Sequence, residues 1–282
     1  MWLGLAAAGL AVFLFLKGDL LKSNPLLRVK KWFILLEYDP ARVSIRSGSL
    51  DAYDMAILDA DQSPDAGLFS PGTLRIAYIS LGEAEDYRSY WPKIQGAPFL
   101  GPENPEWKGN YSVDVRNPVW RDLIIRQVIP QIVERGFHGI FLDTLDTASD
   151  LESQDPVRYG GSMNAMAGFV RDIHQAYPRL LLISNNGFSI LSKIAPYLSG
   201  LLAESIHMEH VGGGYRRVSQ SDRNFKAAIL TDVSRAYHLP VFIVDYAAKS
   251  DSSGRTWCLE SSRKRGWLPY LAEKNLSEIY DS

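Results

Sequence analysis

The feature that most constrains the fold is a series of eight short apolar runs, separated by longer segments with helical spacing. Short uninterrupted apolar runs predict parallel strands that are buried on both faces, and helices between them predict βα units. The runs are WFILLEY (32–38), MAILD (55–59), RIAYIS (75–80), NYSVD (110–114), GIFLD (139–143), LLLIS (180–184), GLLAE (200–204) and VFIVD (241–245).

The segments between the runs contain helix start and stop signals. Asn117 has the chemistry of an N-cap, Pro118 suits the first helical position, and Gly136 suits a helix end. The segments 162–178 and 219–240 have the same design. Eight βα units in about 250 residues predict an α/β protein with a single (β/α)8 TIM barrel. An open, doubly wound sheet is the alternative.

Domain boundaries follow from the same pattern. The barrel is expected over residues 32–282, after an apolar segment and basic linker over residues 1–31. The connection 81–109, between the third and fourth runs, is long and rich in Pro and Trp, and therefore predicts an elaborated active-site loop. No Pro/Gly-rich linker or strict repeat indicates a second domain.

Residues 2–16, WLGLAAAGLAVFLFL, contain no charged side chain and predict an apolar helix that projects from the barrel. A signal anchor, a cleaved signal and a buried helix are the alternatives. An anchor or signal predicts an exported protein, periplasmic, extracellular or membrane-anchored. Basic residues follow the apolar run, however, and by the positive-inside rule they would keep the barrel on the cytoplasmic side. They are Lys17, Lys22, Arg28, Lys30 and Lys31.

Composition narrows the possible ligands. The formal net charge of the 282-residue chain is −2, which gives no reason to expect a nucleic-acid partner. Cys258 is the single cysteine, so neither an intramolecular disulfide nor a cysteine-based metal cluster is expected. Aromatic residues make up 11% of the chain, and exposed aromatic rings suit flat ligands such as sugars. No cofactor is implied, and the sequence does not predict the oligomeric state.

Nearly every run ends in an acidic, amide or tyrosine side chain. The carboxyl ends of parallel strands meet at one end of a barrel, where active sites are built. For any single Asp, helix capping explains the position equally well. The candidate substrate-binding residues are Tyr38, Asp59, Glu83, Asp114, Asp146, Asn185, Asp245 and Tyr246, and the candidate catalytic residues are Asp143 and Glu204.

An acidic pocket with amides and aromatic rings suits glycoside hydrolysis, which uses one carboxylic acid and one carboxylate. Other barrel chemistries have less support. His207 and His210 form the one close histidine pair for a metal, and Lys249 is the nearest lysine for a Schiff base. Arg216 and Arg217, in the Gly-rich segment HVGGGYRR, could instead bind phosphate.

Four motifs in order resemble the endo-α-1,4-polygalactosaminidases, a family of TIM-barrel glycoside hydrolases that includes the hydrolase domain of Pel-type exopolysaccharide proteins. The motifs are YISLGEAEDYRSYW (78–91), WRDLIIRQVIPQIVERGFHGIFLDTLD (120–146), ISNNG (183–187) and AES (203–205). The resemblance covers residues 32–280. It implies an exported enzyme that cuts galactosamine-rich, partly de-acetylated polysaccharide.

By motif, Asp143 resembles the nucleophile, Glu204 the general acid/base, and Glu83 and Asp245 residues of the cleft. We expect the two catalytic carboxyl groups to lie about 5–5.5 Å apart, as in retaining enzymes. Asp146 is expected either to cap the next segment or to hold a sugar. A non-catalytic carbohydrate-binding or exopolysaccharide-assembly barrel and a phosphate-handling barrel enzyme are the alternative functions.

Overall fold

Thirteen strands lie within residues 24–280, which are the residues that this computed structural model describes. In chain order they are β1 (Trp32–Leu35), β2 (Met55–Asp59), β3 (Leu74–Ser80), β4 (Glu83–Glu85), β5 (Leu100–Glu103), β6 (Asn110–Val113), β7 (Gly139–Asp143), β8 (Leu181–Asn185), β9 (Gly200–Glu204), β10 (Met208–Val211), β11 (Gly214–Arg217), β12 (Val241–Tyr246) and β13 (Leu268–Ala272).

Eight of these strands form one parallel sheet in the order β1-β2-β3-β7-β8-β9-β12-β13. At the seam, Trp32 Nε1 donates to the carbonyl of Leu268 at 3.3 Å, and the Leu36 N–H donates to the carbonyl of Leu276 at 3.0 Å. The rings of Trp32 and Tyr270 also lie 5.4 Å apart across it. The sheet therefore forms a nearly closed barrel, which confirms the predicted (β/α)8 fold and excludes the open sheet.

The number of barrel strands was predicted correctly, but one member was wrong. The run 110–114 is not a barrel strand, because β6 pairs antiparallel with β4 and β5 in a separate three-stranded sheet. The eighth barrel strand is β13, which contains Pro269. Proline has no N–H to donate, and β13 has a ladder partner only in β12, so the seam accommodates this residue.

Helices surround the barrel. They are α1 (Trp91–Ile94), α2 (Pro118–Leu123), a π-helical segment (Ile124–Val128), α3 (Ile129–Glu134), α4 (Thr147–Gln154), α5 (Pro156–Tyr159), α6 (Ser162–Ala176), α7 (Leu191–Ile194), α8 (Gln220–Tyr237) and α9 (Ser252–Arg263), with 3₁₀ helices at Pro25–Arg28, Ala66–Leu68 and Ala195–Tyr197. Asn117 accepts from the Val119 N–H at 2.9 Å, which confirms its predicted capping role.

One continuous core fills the barrel and the layer between the sheet and the helices. All five residues of β2 are buried, as expected of a strand covered on both faces. The largest fully buried side chains include Trp120, Tyr270 and Phe33.

A 3₁₀ helix closes the amino-terminal end of the barrel. Leu26 is fully buried, and a Cβ added at Gly200 would lie 3.1 Å from its Cδ1. Asn24 Nδ2 donates to the carbonyl of Ser199 at 2.8 Å. Part of the segment assigned to the linker therefore packs on the barrel.

The predicted apolar helix over residues 2–16 lies outside the described residues. Among residues 24–280, no helix has both the length and the apolar character of a membrane span.

We predict that a chain lacking residues 1–23 still folds cooperatively with a measurable free energy of unfolding, because Asn24 and Leu26 themselves pack on the barrel. Leu26→Ala should lower that free energy by about 2–4 kcal/mol through loss of buried volume. Leu27→Ala is the matched control, because Leu27 is 50% exposed, and it should change stability by less than about 0.5 kcal/mol. Denaturant titration measures all three, and equal effects of the two leucine variants would contradict this account.

Candidate active site

Three adjacent barrel strands end in polar side chains that meet at the carboxyl end of the barrel. Asp143, Asn185 and Glu204 are the last residues of β7, β8 and β9. Each is followed by a non-glycine residue with positive φ: Thr144 at 58°, Asn186 at 48° and Ser205 at 54°. Such conformations are uncommon outside glycine and cluster at functional sites. Here they turn the chain away directly after each site residue.

The amide of Asn185 joins the two predicted catalytic carboxylates. Its Nδ2 donates to Asp143 Oδ1 at 2.7 Å and to Glu204 Oε1 at 2.6 Å. Because both oxygens lie within 2.7 Å of one nitrogen, they are separated by less than twice that distance. Asn185 Oδ1 is buried and has no hydrogen-bond partner in the described part of the chain. The structure therefore brings together three of the predicted site residues.

Each carboxylate also accepts a hydrogen bond from a tyrosine. Tyr246 Oη donates to Glu204 Oε2, and the Tyr78 hydroxyl bonds to Asp143. Burial, followed by the nearby carboxylate charges, raises the pKa of both phenols well above the ordinary value. The two hydroxyls therefore stay protonated and remain donors.

Burial also controls the ionisation of the pair. It raises the pKa of Asp143, while hydrogen bonds from Asn185, the Thr144 N–H and Tyr78 oppose the change. Burial raises the pKa of Glu204 too, and the charge of Asp143 raises it further, against the bonds from Tyr246 and Asn185. Once Asp143 ionises, its charge favours retention of the proton by Glu204.

Glu83 reaches the same pocket from the insertion after β3. It is 7% exposed, and its carboxylate accepts from Asn104 Nδ2 at 2.9 Å and from the amide of Asn110. Burial and the charge of Asp143 raise its pKa. Gly82 permits this approach, because a Cβ there would lie 2.2 Å from the carbonyl oxygen of Thr144.

Asp146 occupies the N-cap position directly before α4, but its side chain makes no capping bond to the helix. Its Oδ2 instead accepts from the Gly187 N–H at 3.1 Å, which ties the end of β7 to the turn after β8. Burial raises its pKa, and the charges of Asp150 and Asp143 add to the effect. The capping alternative is therefore wrong, and Asp146 remains a candidate for sugar binding.

This pocket has a surplus of negative charge. Within residues 24–280, Asp143, Glu204, Glu83 and Asp146 form no salt bridge with lysine or arginine. The positive charge of Lys226 lowers the pKa of Glu204 and Asp146, while its Nζ donates to the carbonyl of Ser205 at 3.2 Å. A cationic ligand would therefore be attracted to the pocket.

Two of the predicted substrate-binding residues, Asp59 and Asp114, form salt bridges with arginines. Arg88 donates to both oxygens of Asp59, at 2.9 and 2.7 Å. Asp114 follows β6, outside the barrel sheet, and accepts from Arg116 at 2.8 and 2.7 Å. The expectation that Asp114 ends a barrel strand was therefore wrong.

Asp245 lies on the opposite side of its strand from the carboxylate pair. It is 1% exposed, its Oδ2 lies 2.8 Å from His207 Nδ1, and its Oδ1 accepts from the N–H groups of His207 and Met208. It therefore fixes the segment that follows Glu204. Tyr38 lies beyond the end of β1 and packs, partly buried, against the core.

The residues of the metal and phosphate alternatives have other contacts. His207 is bonded to Asp245, and the ring of His210 packs on Tyr215 with centroids 5.2 Å apart. Arg216 pairs with Glu209 at 2.8 Å. In the described part of the chain, no group of three or more His, Cys, Asp or Glu side chains could hold a metal ion.

Sequence reasoning missed several residues that position the pair. Tyr78 was inside an apolar run, where a polar aromatic residue two positions before the strand end could have been recognised. Asn186 is a strand-end amide in the ISNNG motif, but its positioning role is visible only in the structure, where its Oδ1 accepts from the Glu204 N–H at 3.0 Å. Asn104 and Asn110 gave no local signal, because their contact with Glu83 depends on the folded insertion.

A family model described as glycoside-hydrolase family GH114 matches residues 22–282. An uncharacterized protein of Thermotoga maritima is 26% identical over 266 residues, covering 84% of this chain and 78% of that protein. An uncharacterized protein of Methanocaldococcus jannaschii is 29% identical over 229 residues, covering 74% of this chain and 64% of that protein.

Two solved structures share the fold. The glycoside hydrolase domain of PelA from Pseudomonas aeruginosa has a TM-score of 0.72 and 24% identity, and the match covers 89% of this chain and all of that domain. Ega3 of Aspergillus fumigatus, solved in complex with galactosamine, has a TM-score of 0.66 and 15% identity, with 90% of this chain and 95% of that chain covered.

We predict that Glu204→Gln raises the free energy of unfolding at neutral pH by about 1 kcal/mol, because it removes a partly buried charge that has no basic partner among residues 24–280. A carboxyl group whose pKa is raised on folding binds more protons in the folded state, so its ionisation lowers stability as the pH rises from the ordinary value towards the raised one. The variant should therefore lose less stability between about pH 4 and neutrality than the wild type.

Denaturant titrations at several pH values measure this difference. Glu134→Gln is the control, because Glu134 is exposed on α3, and it should leave the pH profile unchanged. A variant with the same pH dependence as the wild type would show that Glu204 is not destabilised by burial.

Proposed function

Because this chain belongs to glycoside-hydrolase family GH114, we propose that it is an endo-acting, retaining hydrolase of galactosamine-rich, partly de-acetylated polysaccharide. One observation supports this more than any other. Two partly buried carboxylates at the ends of β7 and β9 are bonded to the same amide nitrogen and have no basic partner in the described residues. Paired carboxyl groups are the minimal apparatus for glycosidic bond cleavage.

The environments favour Asp143 as the nucleophile and Glu204 as the acid. The charge of Asp143 raises the pKa of Glu204, so the pair holds a single proton on Glu204 when Asp143 is ionised. Tyr246, bonded to Glu204, can accept or donate as that proton leaves and returns. Two carboxyl groups with different protonation states match the two roles that the chemistry requires.

In the first step, Asp143 attacks the anomeric carbon while Glu204 gives its proton to the glycosidic oxygen, so the leaving sugar departs with a new hydroxyl group. In the second step, Glu204 takes a proton from water. That water attacks the same carbon, breaks the bond to Asp143 and releases the second product. Both residues end in their starting protonation states.

The separation of the two carboxyl groups favours retention. The bridged oxygens lie closer than twice 2.7 Å, an upper bound that is compatible with the roughly 5–5.5 Å of retaining enzymes. Inverting enzymes need about 6.5–9.5 Å to admit a water molecule between substrate and base. Asn185, bonded to both groups, holds them at this spacing.

The charge of the pocket favours an amino sugar over a neutral one. A free amine on the sugar is positively charged at neutral pH, and it would offset the unneutralised charge of the pocket. Glu83 is suited to bind this ammonium group, because its own hydrogen-bond donors are neutral amides and leave its charge intact. The galactosamine seen in the complex of Ega3 is consistent with such a ligand.

We expect Asp143→Asn and Glu204→Gln each to lower kcat on a de-acetylated galactosamine polymer by several orders of magnitude, because each removes one half of the catalytic pair. Reducing-end release measures the rate. NMR of the first product of the wild type should show the same anomeric configuration as the substrate. Melting curves of both variants should show a folded protein.

Other outcomes would separate the alternatives. Binding of the polymer without any turnover by the wild type would indicate a carbohydrate-binding barrel. Full activity of Asp143→Asn would exclude that residue as the nucleophile, and inversion of the anomeric centre would exclude the covalent mechanism.

Glu83→Gln should lower kcat/KM for the de-acetylated polymer by about ten- to a hundredfold, the usual value of a charge-assisted hydrogen bond. The effect on a fully acetylated polymer should be much smaller, because that substrate carries no ammonium group. Glu103→Gln, on the exposed part of the same inserted sheet, is the control. Equal losses on both polymers would show that Glu83 does not bind the amine.

A further inference from the structure

A second cleft lies at the same end of the barrel as the carboxylate pair. Its lining residues are Trp107, Tyr215, Glu273, Lys274 and Asn275, and we call it the Trp107 cleft. Three connections build it: the loop between β5 and β6, the hairpin β10–β11, and the segment after β13. In the sheet, β13 is separated from β9 by β12 alone, so it lies roughly 10 Å from the strand that ends in Glu204.

One wall of the cleft comes from the insertion after β3. Trp107 is 46% exposed, and Lys274 Nζ lies 5.1 Å from the centroid of its ring and 3.6 Å from the carboxylate of Glu106. Between β3 and β13 the sheet contains β2 and β1. The insertion therefore connects the end of β3 with the segment that follows β13.

The opposite wall is Tyr215, from the hairpin that follows Glu204. Its hydroxyl accepts from the backbone N–H of Lys274. Burial and the charge of Glu273 raise the pKa of this phenol. Glu273 directly follows β13, and it is one residue from Lys274. The cleft thus combines two aromatic side chains with the carboxylate of Glu273, which accepts from Tyr280 Oη at 3.4 Å, and the ammonium group of Lys274.

This combination selects a particular class of ligand. Aromatic rings bind the apolar face of a sugar, and an aromatic face also attracts a cation. The position of Lys274 shows that the Trp107 ring accepts an amine cation in this structure. A carboxylate next to such a ring favours a sugar with a positively charged amine over a neutral sugar.

We infer that the Trp107 cleft is a second sugar subsite, which binds an amino-sugar unit of the same polymer remote from the bond that is cleaved. The sugar ring packs on Trp107 and its ammonium group faces Glu273. This inference rests on the proposed function. Chains long enough to span from the carboxylate pair to β13 gain contacts there that short oligosaccharides do not make.

The test compares substrates of different length. We expect Trp107→Ala to reduce the ratio of kcat/KM on long de-acetylated galactosamine chains to kcat/KM on the trisaccharide by roughly tenfold, mainly through KM. Glu273→Gln should reduce the same ratio, and Trp107→Phe should reduce it less, because it keeps an aromatic ring. Phe225→Ala is the control, because Phe225 is 65% exposed on α8 and outside the cleft, and it should leave the ratio unchanged.

A wild-type ratio in a Trp107→Ala protein with an unchanged melting curve would overturn the inference and leave the proposed function intact. If the wild type cleaves no galactosamine polymer, the proposed function fails and calorimetric titration with long galactosamine oligosaccharides still tests the cleft. Binding that is lost in Trp107→Ala and kept in Phe225→Ala supports the subsite, and binding that is equal in both, or absent in the wild type, overturns it.

Discussion

The burial of carboxylates without basic partners is the constraint on which the site depends. Asp143, Glu204 and Glu83 receive hydrogen bonds from amides and phenols, which are neutral donors. Neutral donors stabilise an anion without cancelling its charge, whereas a salt bridge would cancel it. The pocket therefore keeps a negative potential that can act on a substrate. The raised pKa values of the three carboxyl groups show that their ionisation lowers the stability of the fold.

Acidic residues on the neighbouring side of the barrel, by contrast, form salt bridges with an arginine. Arg88 is 11% exposed and bonds to Asp59, Asp61 and Glu85, and the bonds to Asp59 use both carboxylate oxygens. The guanidinium carbon of Arg88 also lies 5.8 Å from the centroid of the Tyr78 ring, and the hydroxyl of Tyr78 bonds to Asp143. The charges that Arg88 neutralises therefore end one side chain away from Asp143. The Arg88 network holds that tyrosine in place, but it leaves the charge of Asp143 uncompensated.

This contrast sets the limit of what the sequence could predict. Asp59 and Asp143 both end buried strands, and the sequence treats them alike. The difference is Arg88, which lies 29 residues from Asp59 in the chain and reaches it only in the folded insertion. The class of fold, and the candidate pair Asp143 and Glu204 that the structure brings together, followed from local pattern, strand position and family motifs. The partners of Asp59 and Asp245 come from distant segments of the chain, so these two residues could not be distinguished in advance from Asp143. Asp114 differs, because its partner Arg116 is only two residues away in the sequence.

The two errors in strand assignment have a similar origin. β6 is only half buried, with Asn110 and Val113 buried and the two residues between them partly exposed, so it suits a half-exposed antiparallel sheet. β13 was missed because Pro269 disfavours a central strand, while the seam of this barrel needs no donor at that position. Because β6 is not a barrel strand, β7 and β9 are the fourth and sixth strands of the barrel instead of the fifth and seventh. This change leaves β8 between them, and with it the geometry of the pair.

The positive-φ residues explain why that geometry is held by the barrel rather than by its loops. Each such conformation costs on the order of 1 kcal/mol for a non-glycine residue. Each is also tied to another barrel strand or its extension: Thr144 Oγ1 accepts from the Gly82 N–H, Asn186 Oδ1 accepts from the Glu204 N–H, and the Ser205 N–H donates to the carbonyl of Val244. These bonds offset the strain and fix each strand end relative to its neighbours. The loops beyond can then differ in length and sequence without moving the two carboxyl groups.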